Sequence, residues 1–203
     1  MRFAALVLAA GEGRRFGGHK LLARLEGRPV LQHVLDAVAA AAPTETVIVL
    51  GADATDAERE MTWRGERRVV NPDPSRGLSS SLKLGMAVIQ ALPEAGTLDA
   101  ILVGLGDQPR TSTEVIAILL DAETDRSIVV PRYADDGARN PVLLHRDAWP
   151  LVAAVSGDRG LGAFIGAHPD LVLEVPVGGA NPDVDTPADL AALEGSAGGA
   201  TGS

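Results

Sequence analysis

Ten residues after a short N-terminal apolar run hold four glycines (Gly11, Gly13, Gly17, Gly18) and three cations (Arg14, Arg15, Lys20). Glycine has no Cβ, so backbone N–H groups can crowd around an anion. Arginine and lysine supply the charge that a polyphosphate requires. The same residues also read as a solvated Gly/Arg turn. Lys20 is not followed by Ser or Thr, and the spacing G-x-G-x-x-x-G departs from the dinucleotide fingerprint. The loop follows a first strand and precedes an amphipathic helix, the place where open α/β sheets bind ligands.

Three more stretches carry groups of the right kind. In GLGDQP, residues 104–109, Asp107 falls just past a buried strand. Beside a polyphosphate such a carboxylate is a Mg²⁺ ligand; otherwise it is a turn or helix-capping aspartate. In NPDVDTPADL, residues 181–190, Asp185-Thr186-Pro187 is a helix start, and Asp183 or Asp185 is a candidate second metal ligand. Residues 71–84, NPDPSRGLSSSLKL, open a helix whose first N–H groups suit a nucleotide's base or ribose, with serines as caps. Four scattered histidines (His19, His33, His145, His168) show no ligand spacing.

The elements that must position these groups alternate. Strands are expected at Phe3 to Ala10, Thr46 to Leu50, Arg67 to Val70, Ala100 to Leu105, Ser127 to Val130, Asn140 to Leu144 and Val172 to Val175. Pro29 opens a helix that places Val30, Leu31, Val34, Leu35 and Val38 on one face. Further helices are expected over 53–65, 77–92, 111–122, 147–155 and 160–167, with the last beginning at Asp185. This alternation predicts an α/β domain, three layers deep, with a mostly parallel mixed sheet. One domain over residues 1–194 and a disordered Gly/Ser-rich tail over 195–203 account for the chain.

Of the 203 residues, 46% are hydrophobic but only 3% aromatic, so the core rests on Ala, Val, Leu and Ile. There is no cysteine, which excludes disulfides and thiolate chemistry and fits a cytoplasmic protein. The net charge of −9 is uneven: residues 1–28 carry six Lys/Arg against two Glu, and the remainder is strongly acidic. An acidic body with one basic loop disfavours nucleic acid and membrane surfaces and suits a compact anion bound at one place.

The blocks LAAGEGRRFGGHK, NPDPSRGLSSSL, LGDQP, YADDGARNPVLL, GDRG and DVDTPADL, in that order, resemble the MobA-like nucleotidyltransferases, above all the molybdenum cofactor cytidylyltransferase branch. The resemblance implies a Rossmann-like nucleotide-binding fold of the nucleotide-diphospho-sugar transferase type. It implies transfer of CMP from CTP to the phosphate of molybdopterin cofactor, with Mg²⁺ and release of pyrophosphate. Gly11, Gly13, Arg15, Gly17 and Lys20 would form the nucleotide loop, opened by Leu8, Ala9 and Ala10. Gly77 and Ser79 would add contacts to the nucleotide. Lys20, Arg15 and Asp107 would carry catalysis, Asp107 and Asp185 the metal, and Arg139 and Asn140 the acceptor. CTP, the cofactor and an apo-molybdoenzyme are the implied partners. His19 and Arg76 depart from the family pattern. The alternatives are guanylyl transfer, a sugar-phosphate acceptor, or a non-catalytic carrier of finished cofactor.

Overall fold

A computed structural model describes residues 1–11, 13–157 and 160–198. The first strand, β1 (Phe3–Ala9), is buried on both faces. Phe3, Ala5, Val7 and Ala9 point into one apolar layer, and Ala4, Leu6 and Leu8 into the other. That two-residue alternation lets one strand anchor two cores. A two-residue hairpin, β2 (Arg24–Leu25) with β3 (Arg28–Pro29), leads into α1 (Val30–Ala40). Pro29 stands at the start of α1, and all five residues expected on the inner face are buried. The chain continues through β4 (Glu45–Leu50), α2 (Ala54–Glu60), β5 (Arg67–Val70), α3 (Leu78–Gln90), β6 (Ala100–Leu105) and α4 (Thr113–Leu120). It then forms β7 (Ile128–Tyr133), β8 (Val142–His145), α5 (Gly160–Ala167), β9 (Val172–Val177) and α6 (Pro187–Gly198).

Seven strands form one sheet in the order β5-β4-β1-β6-β8-β7-β9. β8 runs antiparallel to both β6 and β7; the other pairs are parallel. Helices α1, α2 and α4 cover one face, and α3, α5 and the 3₁₀ segment Arg146–Ala154 cover the other. The chain leaves β1 toward β4 and β5, then returns to β6 on the opposite side of β1. The topological switch therefore lies between β1 and β6, where sheets of this kind bind ligands. The glycine loop follows β1 and Asp107 follows β6, so the topology alone brings them together.

Three sequence expectations need correction. The helix expected over 147–155 is a 3₁₀ segment, Arg146–Ala154, with Pro150 inside it, where the proline ring disfavours regular α-helix. No serine caps α3; Gly77 holds that place with φ 86°, and the serines fall inside the first turn. The final helix runs through Gly198, four residues into the expected tail, and 199–203 lie outside the described residues. Among the described residues, no helix is long and apolar enough to cross a membrane.

Candidate active site

The glycine loop turns back on itself through Phe16 N–H to Gly13 O (3.0 Å) and Gly18 N–H to Gly13 O (3.1 Å). Gly13 sits at φ +59°, and a Cβ there would lie 3.3 Å from Lys20 Cγ. Only glycine accepts both that backbone and that approach. The loop ends in a 3₁₀ turn, Lys20–Leu22, anchored by the buried Leu21 and Leu22. This turn drives the Lys20 side chain under the loop, where the residue is 7% exposed.

A buried ammonium requires compensation, and two carboxylates provide it. Lys20 Nζ donates to Asp107 Oδ2 at 2.6 Å and to Asp185 Oδ1 at 3.1 Å. Arg15 reaches across to Asp185 Oδ2 at 2.6 Å. Burial alone would lower the Lys20 pKa, but Asp107 and then Asp185 outweigh it, so the pKa is raised. Asp183 is pushed the other way in function: burial, then the charge of Asp107, raises its pKa and disfavours its ionised form.

The two acidic segments are themselves tied together. Val184 N–H donates to Asp107 O at 2.8 Å, and the fully buried Val184 side chain packs with Leu25, Val30 and Leu193. Pinning the middle residue of Asp183-Val184-Asp185 fixes the acids on either side. Helix α6 begins with a capping box: Asp189 N–H donates to Thr186 Oγ1 at 3.2 Å, while Asp189 Oδ2 accepts from Thr186 N–H at 2.7 Å. Asp189 Oδ2 also accepts from Asp185 N–H at 3.1 Å. Thr186 is thus the cap, which leaves the Asp185 carboxylate to the basic residues.

Arg15, Lys20 and Asp185 border a cavity of about 450 Å³, while Asp107, bonded to Lys20, is not among its lining residues. Ala10, Gly11, Gly13, Arg15, Lys20, Gly77 and Asp185 line it, joined by Arg14, Ser75, Leu78 and Ser81. The fit to a divalent cation follows from the donor set. One ammonium already lies within hydrogen-bonding distance of two carboxylates from different loops, the kind of seat a hard cation takes. Among the described residues, no group of three or more His, Cys, Asp or Glu is arranged to hold a metal. Asp107 and Asp185 would supply two ligands, with phosphate and water oxygens completing the shell.

Several expected nucleotide contacts lie elsewhere. Ala9 faces the α1 layer, by the alternation along β1, and Leu8 lines a separate cavity. Ser79 is buried, and its N–H is already bonded to Gly157 O at 3.3 Å; Ser81, two residues on, lines the cavity instead. Gly17 does not line it either, although its φ of +92° shapes the loop. Arg139 and Asn140 border the second cavity, about 130 Å³ and largely aliphatic, which shares Leu78 with the first. Arg139 is held by Glu174 at 2.8 Å, and the Asn140-Pro141 peptide is cis. His19, in the left-handed region at φ 52°, faces Asp53 and Asp56 rather than the cavity. Asp158 and Arg159 of the GDRG block lie outside the described residues.

Two clusters of buried amides are not signalled by the sequence. Asn71, 6% exposed, donates to Ser80 Oγ and Ser81 Oγ, both at 2.9 Å, and fixes the start of α3. Asn181 and Gln108 are also buried and bonded to one another. Their only local signal is an amide next to a proline or an acid, which reads as a turn.

Known proteins resemble this chain in sequence and in fold. The sequence profile of the MobA-like NTP transferase domain matches residues 5–172. Nicotine blue oxidoreductase of Paenarthrobacter nicotinovorans is 34% identical over 175 residues, 82% of this chain and 83% of that protein. The crystal structure of Rv0371c from Mycobacterium tuberculosis superposes with a TM-score of 0.84 at 29% identity, covering 96% of this chain and 98% of that one. The same mycobacterial protein has been solved in complex with manganese, with a TM-score of 0.80. A nucleotidyl transferase from Methanothermobacter shares the fold, with a TM-score of 0.77 at 23% identity over 96% of this chain and 97% of that one.

Proposed function

Because the chain belongs to the MobA-like NTP transferase family, we propose that it moves CMP from CTP to the phosphate of a molybdopterin-type molybdenum cofactor and releases pyrophosphate. The observation that carries this reading is the Lys20 ammonium seated between Asp107 and Asp185 at the rim of the glycine-loop cavity. It joins a polyphosphate cradle to a pair of carboxylates able to hold Mg²⁺.

In the reaction an acceptor phosphate oxygen attacks the α-phosphorus and forms a new P–O bond. The bond from that phosphorus to the bridging oxygen breaks, and pyrophosphate leaves with the electron pair. The acceptor is already ionised, so no side-chain nucleophile is required. The difficulty is repulsion between anions, and the remedy is positioning and neutralisation of charge. Lys20 and Arg15 turn from their carboxylates to the phosphates and hold the charge that grows on the leaving group. Asp107 and Asp185, once released, would hold Mg²⁺, which would supply neutralisation of the anionic charge of the reactants. Gly11 and Gly13 bring backbone close to the phosphates, while Gly77 and Ser81 border the end left for the base. Arg139 and Asn140, at the neighbouring cavity, face the acceptor. We read the chain as cytoplasmic, with an apo-molybdoenzyme as the recipient of product.

The 34% identity to an enzyme named as an oxidoreductase favours a second reading, a redox reaction in which the same cradle holds the pyrophosphate of a nicotinamide dinucleotide. A single experiment separates the readings. Purified protein is given molybdopterin cofactor, Mg²⁺ and each of the four NTPs, and pyrophosphate is measured. Release that depends on CTP and cofactor together is expected. Release with another NTP moves the chain to a different transferase branch. No release with any NTP, but oxidation of an added reduced nicotinamide dinucleotide with hydride passed to an added two-electron quinone-type acceptor dye, establishes the second reading. Neither activity leaves the carrier.

A further inference from the structure

Asn181 is 1% exposed and sits where three loops meet. Its Nδ2 is 3.1 Å from Asn140 O, 3.3 Å from Thr111 Oγ1 and 3.4 Å from Gln108 Oε1. A carbonyl oxygen can only accept, so the contact with Asn140 O fixes which end of the amide faces these partners. The backbone of Asn181 is tied as well: its N–H donates to Asp136 Oδ2 at 2.9 Å, and its carbonyl accepts from Gln108 Nε2 at 3.3 Å. Asp136 also accepts from Ala138 N–H at 2.9 Å, which holds the turn that leads to Arg139 and Asn140.

The partners belong to three different parts of the site. Gln108 follows Asp107 directly. Asn140 is the acceptor-side turn. Asn181 itself begins the segment that delivers Asp183 and Asp185. The β6–β8 ladder ends with Val103 opposite Val142, and Val184 N–H ties the Asp185 segment to Asp107 O; Asn181 adds the side-chain bonds that reach all three loops.

We propose that Asn181 is the positioning residue that sets the distance between the carboxylate pair, Asp107 and Asp185, and the acceptor turn at Asn140. It touches neither nucleotide cradle nor reacting atoms. Its NH₂ group crosses from the loop of the second carboxylate to the loop of the first and to the acceptor turn. This rests on the transferase reading for what the site does, but the geometric claim stands on the hydrogen bonds alone. The isosteric carboxylate would set a charge against the Asn140 carbonyl, so the donor, not the shape, is the part that matters.

The test compares wild type with Asn181→Ala and with Thr111→Val, which removes one acceptor of the NH₂ group at nearly constant volume. Two readouts are taken: steady-state constants for nucleotide and acceptor, and binding of Mn²⁺ alone to the free protein by calorimetry. For Asn181→Ala the expected result is an apparent acceptor KM raised about tenfold or more and Mn²⁺ affinity lowered by a similar factor, the scale on which partners that orient ligands act. The nucleotide KM should rise less than the acceptor KM, because among the described residues Asn181 makes no hydrogen bond to the cradle around Gly11 and Gly77, although both depend on the metal. Thr111→Val should move the same two quantities less far in the same direction. A uniform fall in kcat with both KM values and Mn²⁺ affinity unchanged is the mark of a merely structural residue and overturns the proposal. So does an unchanged profile in both variants. If Asn181→Ala does not fold, Thr111→Val decides by the same two readouts. If the wild type transfers no nucleotide, the transferase reading fails and the Mn²⁺ comparison still decides the role of Asn181.

Discussion

Lys20 Nζ and Asp107 Oδ2 meet at 2.6 Å although 87 residues separate them in the chain. The lysine therefore has two possible duties, neutralising its own carboxylates and neutralising a phosphate, and it cannot perform both at once. Replacing it should move two affinities in opposite directions. Lys20→Ala leaves the Asp107 and Asp185 seat open, so Mn²⁺ alone should bind severalfold more tightly. It also removes a charge-assisted contact of about 1.5–3 kcal/mol from the phosphates, so Mg-CTP should bind roughly tenfold to a hundredfold more weakly. Calorimetry with each ligand checks both signs. Loss of both affinities together would show that Lys20 holds the carboxylates in place rather than competing for them.

Asp107→Asn keeps the shape of the side chain and removes its charge. Lys20 retains Asp185 at 3.1 Å, so the buried ammonium is not stranded. The fold should survive with a loss of about 1–2 kcal/mol in chemical denaturation. Turnover should fall by at least about a hundredfold, the scale of losing one group that stabilises charge in the transition state. Mg²⁺-dependent activity near that of wild type would remove Asp107 from the metal site.

Tyr133 gives a pH prediction with a direct optical readout, because it is the only tyrosine in the chain. It is 4% exposed, and burial, with the charge of Asp136 added, pushes its pKa from 10 up to about 12. The unfolded chain releases this proton near pH 10 and the folded chain only near 12. Above pH 10 the folded state binds more protons, so stability falls as pH rises through that window, by roughly 2–3 kcal/mol. Lys20 acts in the same sense: its raised pKa supports the fold below about 10.5, and that support is lost as pH climbs through the folded value. Tyrosinate absorbance should appear near pH 12 in native protein and near 10 in denaturant. Coincident midpoints would show that Tyr133 is not shielded.

The parts legible in the sequence were those that local chemistry decides. The buried apolar run of β1, the inner face from Val30 to Val38 and the Thr186-Pro187 helix start all appear where the residues put them. The glycine loop and Asp107 converge because both follow strands at the switch of the sheet. The finer assignments turn on a single residue of phase, which spacing alone does not set. Ser79 and Ser81 stand in one serine run, yet only Ser81 faces the cavity, because Gly77 rather than a serine starts the helix. The direction of β8 is not encoded in its four residues, VLLH. Nor is the role of Asn181, whose partners lie 41 to 73 residues away.

On the proposed transferase reading, the choice of nucleotide is predicted to turn on Ala10. It is 5% exposed and lines the cavity with Gly77 and Ser81. Its backbone is locked from behind: a Cβ at Gly51 would lie 2.7 Å from Ala10 O, so the two chains are already as close as they can be. Ala10 cannot retreat, and its methyl group takes space where base and backbone would meet. A pyrimidine loses less from this than a purine, so CTP should be preferred over GTP. One methyl group in a pocket is worth about 1–3 kcal/mol, or roughly 10–200-fold. Hydrogen bonds from the Gly77 to Ser81 segment to the base edge would have to supply any greater selectivity. Equal CTP and GTP with saturating cofactor should give the cytidylyl product in excess by about that factor, and Ala10→Gly should narrow the ratio. An excess of guanylyl product would move the chain to the guanylyl branch. A cytidylyl preference untouched by Ala10→Gly would place the selector elsewhere on the cavity wall, with Ser81 next to be changed.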